Sequence, residues 1–221
     1  MSMTRYFLPV VFAAALSLGV LGSCMGISSE ITLRRDGSGI IKLEYRLSRE
    51  LESLGRQDGN EEWPPVPVGK VDFERTAARI PGMALKSFKS AVEGKDLVNR
   101  VTLDFADTGA LIRFLDASGQ RASLSRENGR NRLSLLLAAG GGRIDPELGE
   151  LVSAASQGYF LTMSFSLPAG AELALADGEG RPLAPPEGWE LSGGNRSSFS
   201  APIGEILLFE GPLYLEILWG L

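Results

Sequence analysis

The sequence predicts an α+β domain: a mostly antiparallel sheet built from hairpins, with about three helices packed on one face. Three observations predict it. Apolar residues alternate in paired segments joined by short Gly-containing turns. Single segments with apolar residues at helical spacing separate those pairs. The charged residues of the paired segments fall on the face opposite the apolar ones, which suits a sheet with one wet side. The composition allows a core of this kind. Hydrophobic residues make up 44% and charged residues 22% of the 221 residues, which argues against disorder and suits one ordinary domain or two small ones.

The first strand falls at Glu30–Arg35 and the second at Ile40–Leu47, around the turn Asp36-Gly37-Ser38-Gly39. A three-residue loop at 36–38 would pair Leu33 with Ile41 and Ile31 with Leu43. Residues 55–70 hold charge, glycine and the pair Pro64-Pro65, so they read as a loop, functional or disordered, with Trp63 either a contact residue or a pin to the body. A helix follows at Val71–Ile80, with Phe73, Ala77 and Ile80 on one face and Pro81-Gly82 as its stop. A hairpin turning at Gly94-Lys95 pairs Val92 with Leu97 and Phe88 with Val101.

The second helix spans Thr108–Ala117, capped by Asp107, with an apolar stripe of Ala110, Leu111, Phe114 and Leu115. The next hairpin is the best defined. Asn128-Gly129 suits a type I′ turn and sets Leu124 opposite Leu133 and Ala122 opposite Leu135, while Ser125–Arg132 and Glu127–Arg130 take the other face. A third helix opens on Asp145-Pro146-Glu147, with Leu148, Leu151, Val152 and Ala155 as its stripe. A strand from Tyr159 to Leu167 follows. Beyond Pro168 the chain reads as loose until two apolar segments, Ile203–Phe209 and Leu213–Trp219.

The residue inventory excludes much chemistry. With no His, Ser–His–Asp triads, His-ligated zinc and imidazole bases are gone; with one Cys, so are intrachain disulfides and Cys-cluster metal sites. No metal site and no cofactor is expected. A net charge of −5 argues against nucleic acid as partner. Phosphate-loop, dinucleotide, nucleophile-elbow and calcium-loop motifs are absent. Two carboxylate pairs remain for acid–base work, Glu61-Glu62 and Asp104/Asp107, and both have ordinary structural readings in a loop and at a helix cap. The expectation is a non-enzymatic protein.

Residues 1–23 read as a signal sequence. Arg5 precedes an apolar run from Tyr6 to Val20, the length of a signal h-region and short for a membrane span. Leu21-Gly22-Ser23-Cys24 then resembles the bacterial lipobox. That resemblance implies cleavage between Ser23 and Cys24, a diacylglycerol on the Cys24 thiol and, usually, acylation of the new amine. Two or three chains anchor a protein stably where one does not. Lipidation also accounts for a lone thiol in an oxidising compartment. Met25 follows in place of Asp, which by analogy with enteric bacteria lacks the inner-membrane retention signal, so the outer membrane is favoured. Residues 24–29 then form a short lipidated tether of at most ~18 Å, and residues 30–221 a single domain.

Arg121, Arg126, Arg130 and Arg132 lie on one hairpin, with Arg143 soon after. Together with Arg34 and Arg35 they are candidates for contact with anionic headgroups, each worth roughly 1 kcal/mol near such a surface. The competing reading is a solvated sheet face partly neutralised by Glu127 and Glu150.

The lipidated Cys, the short gap, the first strand, Asp36-Gly37-Ser38-Gly39 and the second strand resemble the start of LppM-like bacterial lipoproteins. The closing stretch, Phe199-Ser200-Ala201-Pro202-Ile203 through Leu213 to Trp219, is similar to the end of such domains in spirochaete lipoproteins. The resemblance implies a bacterial envelope protein, facing the periplasm or the cell surface, that binds a lipid or glycolipid in an apolar cavity. It carries over no site residue, and the C-terminal membrane helix of some members has no counterpart here. The alternative is a structural or protein-interaction envelope lipoprotein without a small ligand. The apolar faces either enclose a pocket or only make a core.

Overall fold

The computed structural model describes residues 25–48, 69–116, 121–140 and 145–220. In chain order the elements are β1 (Met25–Leu33), β2 (Gly39–Ser48), α1 (Lys70–Arg79), β3 (Met83–Glu93), β4 (Asp96–Phe105) and α2 (Thr108–Leu115). There follow β5 (Ala122–Glu127), β6 (Arg130–Ala138), α3 (Pro146–Ala155), β7 (Phe160–Asp177) and β8 (Pro182–Leu183). The last are β9 (Glu190–Ser192), β10 (Gly194–Pro202), α4 (Ile203–Leu207) and β11 (Leu213–Trp219).

The expected class, α+β with helices on one sheet face, is overturned. Strand accounts for 56% of the described residues and helix for 19%, and the strands form one curled mixed sheet. Its main path runs β3-β4-β2-β1-β7-β11-β6-β5. The helices do not form a layer. α1 lies on β3, α2 lies between β4 and β5, and α3 packs with α4 beside β10 and β6. The reason is in the last third of the chain, where five strands follow residue 159. The sheet bends far enough for its own inner faces to meet, so strand packs on strand where a helical layer was expected.

β7 makes that bend. Over Leu161–Ser166 it pairs in parallel with β1 and, on its other side, antiparallel with β10. Over Ala171–Asp177 its partner is β11. Residues 167–170 have no ladder partner, so Pro168 withholds no hydrogen bond there and the strand continues through a residue that reads as a stop. Gly193-Gly194 closes over this bend. A Cβ on Gly193 would come 2.9 Å from the Ala171 carbonyl oxygen, and β10 shifts register just beyond.

Local chemistry explains the other elements. Asn128 (φ 50°) and Gly129 (φ 77°) adopt the mirror-image turn that matches strand twist, and the β5–β6 pairs are those the sequence predicts. The β3–β4 pairs Val92–Leu97 and Phe88–Val101 also form as predicted, with a bulge between Leu85 and Ser87. The β1–β2 hairpin differs by two residues: Leu33 faces Gly39 and Ile31 faces Ile41. Its loop is longer because Asp36 organises it, accepting from Ser38 N–H and Oγ at 3.0 and 2.7 Å. A two-residue shift keeps every side chain on its expected face.

β1 opens at Met25, so residues 25–29, placed before the first strand by the sequence, pair with Leu43–Leu47. Asp107 caps α2 by accepting from Ala110 N–H at 2.7 Å. The α3 stripe is only partly buried: Val152 is enclosed while Leu151 stays 54% exposed. Ile203–Phe209 opens as the short helix α4, not a strand. Residues 1–24 and most of the 55–70 segment, with Trp63 and Glu61-Glu62, lie outside the described residues.

The core fills the inside of the curl. Phe105, Phe165, Phe199, Leu213, Leu215 and Ile217 are fully buried, each from a strand face that alternates inward. At one end Phe73 of α1 packs between Tyr45 and Phe88, with ring centroids 5.9 and 6.2 Å away. Burial there pushes the Tyr45 phenol up to about 12. Outside, charged pairs bridge strands: Glu30 with Lys42 and Arg196, and Arg100 with Glu44 and Glu93. The Arg100 hydrogen bond holds the Glu93 carboxyl below its usual range.

Candidate functional site

A groove opens where β1 ends. It encloses about 600 Å³ and is lined by Leu33, Arg34, Arg35 and Gly37 from the first hairpin, Thr108 from α2, Leu124 and Asn131 from the β5–β6 hairpin, and Pro168, Trp219 and Gly220. Each wall has a reason to be there. Leu33 is the last inward residue of β1. Pro168 is at the β7 bend. Trp219 is the last residue of β11, paired with Asn131 on one side and Ala171 on the other.

Below the groove, sharing Leu33, Thr108, Leu124 and Trp219 with it, lies a wholly apolar slot between α2 and the sheet. Leu111, Ile112, Leu133, Phe165 and Ile217 are among its walls, and it holds only about 10 Å³. That is about the size of one water probe, so the slot is packed as core. The open groove and the closed slot form one apolar track, with α2 as its cover.

The rim is basic and ordered. Arg34 N–H donates to the Ser38 carbonyl at 2.7 Å, and its guanidinium donates to Ser38 Oγ at 3.1 Å. The Ser38 hydrogen bonds hold the Asp36 carboxyl below the usual carboxylate range, with Arg34 adding to the effect. Gly37 takes φ 85°, the left-handed region this turn needs. Arg35 has no carboxylate partner among the described residues.

The structure separates the four hairpin arginines. Arg126 faces Asn131 across the ladder and shares a strand face with Leu124, so it belongs to the groove side of the hairpin. Arg130 and Arg132 alternate onto the outer face. Arg130 pairs with Glu172 at 3.1 Å. Arg132 pairs with Glu216 at 2.8 Å and Glu127 at 3.1 Å. The Glu216 hydrogen bond raises the Arg132 guanidinium, and Ser134 Oγ donates to the same nearly buried carboxylate at 2.8 Å. Arg121 stands at the opposite end of β5, beside Leu136, Leu137, Ile206 and Phe209 in a separate hollow of about 310 Å³. Arg143, Ser23 and Cys24 lie outside the described residues.

Of the carboxylates considered for acid–base work, Asp107 caps α2 and Asp104 pairs with Lys86 at 3.0 Å. Trp219, Pro168, Thr108 and Asn131 are groove residues that sequence reasoning did not mark for a site, and Leu124 entered only as an apolar hairpin residue. They come from four separate stretches of chain, and only the alternation of Leu213–Trp219 hinted at one of them. Among the described residues no helix is long and apolar enough to cross a membrane.

Fold and groove together define a mostly β domain: a sheet curled around its own core, open at one end through a basic-rimmed, apolar-floored groove. No family model matches the chain, and no curated protein does. Among solved structures it is similar to the folded domain of LppM from Mycobacterium tuberculosis, determined by NMR. The identity is 13%, the TM-score is 0.39, and the match covers 82% of this chain and 91% of that one.

Proposed function

We propose that this chain is a lipid-anchored, non-enzymatic protein of a bacterial envelope that binds an amphiphile in the groove at the end of β1. The apolar part of the ligand lies against Leu33, Leu124, Pro168 and Trp219. An anionic head is met by Arg34 and Arg35, with Arg126 on the same side. The observation that carries this reading is the groove itself: about 600 Å³, apolar at its floor and guanidinium-rimmed at its mouth. Sites for small ligands typically enclose about 300–1,000 Å³ with a few polar groups at the edge. Arginine is the side chain best suited to carboxylate or phosphate heads.

The anchor rests on Leu21-Gly22-Ser23-Cys24 behind an h-region-length apolar run, and the outer membrane on Met25 in place of Asp. The non-enzymatic reading is supported by the structural engagement of Asp104 and Asp107.

The test is an NMR titration of residues 25–221 with short-chain phosphatidylglycerol below its micellar concentration, against phosphatidylcholine of equal chain length. The Trp219 indole and the backbone signals of Arg35, Thr108 and Leu124 shift with the anionic lipid, and Arg35→Glu weakens the response. Unmoved Trp219 and Leu124 signals would overturn the groove and leave the protein-interaction alternative. For the anchor, Cys24→Ser leaves an unprocessed chain that incorporates no labelled palmitate.

A further inference from the structure

Each strand of the first half of the sheet has one end at the groove and one end away from it. Register fixes which residues gather at the far end. Met25 faces Leu47, Leu47 faces Leu97, and Leu97 faces Val92, while Ile27 lies beside Leu161 at the start of β7. The Gly94-Lys95 turn and Phe160 are therefore at the Met25 end, and Lys95 Nζ sits 5.5 Å over the Tyr159 ring. Among the described residues, two of the few large apolar side chains left open to solvent are here: Val92 at 58% and Phe160 at 45% exposure.

One peptide bond separates Met25 from Cys24, and β1 is regular strand from Met25 onward, so no slack exists between the lipidation position and the sheet. The nine residues of β1, at about 3.3 Å each, place Leu33 and the groove roughly 26 Å from Met25. That exceeds the ~8 Å screening length at physiological salt, so Arg34 and Arg35 on an upright domain do not feel the headgroups beneath Met25.

The sides of the domain are poor surfaces to lay on a bilayer. One carries Glu30 and Glu44 in ion-pair networks, and the other carries Glu172 and Glu127 beside Arg130 and Arg132; Glu93, beside the Gly94-Lys95 turn at the Met25 end, is neutralised by Arg100 and Arg46. Apolar and cationic groups seek the lipid interface, while carboxylates do not.

We infer that the domain stands on its anchoring bilayer on the Met25 end, with Val92, Phe160 and Lys95 at the lipid surface and the groove opening away from that bilayer. Its ligand is thus exchanged on the side facing away from the membrane that holds the protein. This inference rests on the lipid-anchor reading and adds an orientation to it.

The test uses the full-length chain expressed with its leader, extracted and reconstituted in phosphatidylethanolamine–phosphatidylglycerol vesicles. With Cys24 acylated, a thiol introduced by Val92→Cys, Phe160→Cys or Arg126→Cys is the one free thiol and takes an environment-sensitive fluorophore. Brominated acyl chains report depth by quenching. Positions 92 and 160 lose most of their emission and position 126 loses none. Equal quenching at 126 in vesicle-bound protein would overturn the orientation while leaving the anchor standing. A chain that does not float with the vesicles would overturn the anchor reading, and the orientation with it.

Discussion

Truncating Leu111 tests whether α2 is the cover of a packed slot. Leu111 is 4% exposed and sits on the wall of a slot of about 10 Å³. Leu111→Ala removes three carbons from apolar surroundings, about 2.4 kcal/mol at ~0.8 kcal/mol per methylene. A residual void of ~50–100 Å³ adds about 1–2.5 kcal/mol at ~24 cal/mol per Å³. The expected loss is about 3.5–5 kcal/mol. For a domain of this length each kcal/mol moves the midpoint about 2–4 °C, so Tm falls by roughly 7–20 °C. Urea and thermal unfolding followed by circular dichroism measure both quantities. The void lies directly beneath the groove and is lined by Ile31, Phe165, Ile217 and Trp219, so it stays dry and accepts a small apolar guest. Benzene or xenon therefore raises the Tm of the variant by mass action and leaves the parent unchanged. A loss below ~1 kcal/mol would refute the packing argument. A full loss with no recovery by the guest would refute the claim that slot and groove form one track.

Three further outcomes follow from single contacts. A Cβ at Gly39 would overlap the Thr32 carbonyl and the Phe105 ring, so Gly39→Ala costs at least about 1–3 kcal/mol by urea midpoint; a neutral result would disprove the close approach. Asp107→Ala removes the α2 cap and costs about 1 kcal/mol, while Asp107→Asn or Asp107→Ser retains most of it. The Asp36 and Glu93 carboxyls titrate below their ordinary values of 3.8 and 4.5 in the folded protein. A depressed folded value means that their contribution to stability is present above the ordinary value and is lost as pH falls through the folded one. Stability therefore declines below about pH 4.5, and the groove turn held by Asp36 loosens only as pH falls through that carboxyl's own depressed value. Carbon-detected NMR titration of the two carboxyls reads this directly, and values at or above the ordinary ones would contradict the geometry.

What the sequence revealed depended on whether local and global signals coincided. At Asn128-Gly129 the turn chemistry and the apolar alternation demand the same register, and that hairpin formed as read. The same parity already put Arg130 and Arg132 on the face opposite Leu124. At Asp36-Gly37-Ser38-Gly39 two registers keep every side chain on the same face, so the pattern alone did not separate them. The Asp36–Ser38 hydrogen bonds chose the longer loop. Beyond Pro168 the reading failed because a proline inside an apolar run signals a stop, and nothing local reveals that residues 167–170 have no partner to bond. β10 was missed for a related reason. Of its inward-facing Ser197, Phe199 and Ala201 only Phe199 is large and apolar, which leaves a weak hydrophobic signal. Arg34 and Arg35 stood out as charges. Their joining with Leu124, Pro168 and Trp219 depends on a closure that only the folded sheet supplies.

The position of β11 has a consequence for how the protein comes into being. The final strand lies between β7 and β6, near the middle of the sheet, and contributes Leu213, Leu215, Ile217 and Trp219 to the interior. Until residue 219 is available, β7 and β6 are each left with a bare edge and no ladder joins the β5–β6 hairpin to the rest of the sheet. Pairings this distant in sequence form slowly, because the loop must close before any contact rewards it. The core is therefore completed only after every other described strand has been made. For the exported protein proposed above, that delay keeps the chain pliable during passage and defers its final architecture to the far side.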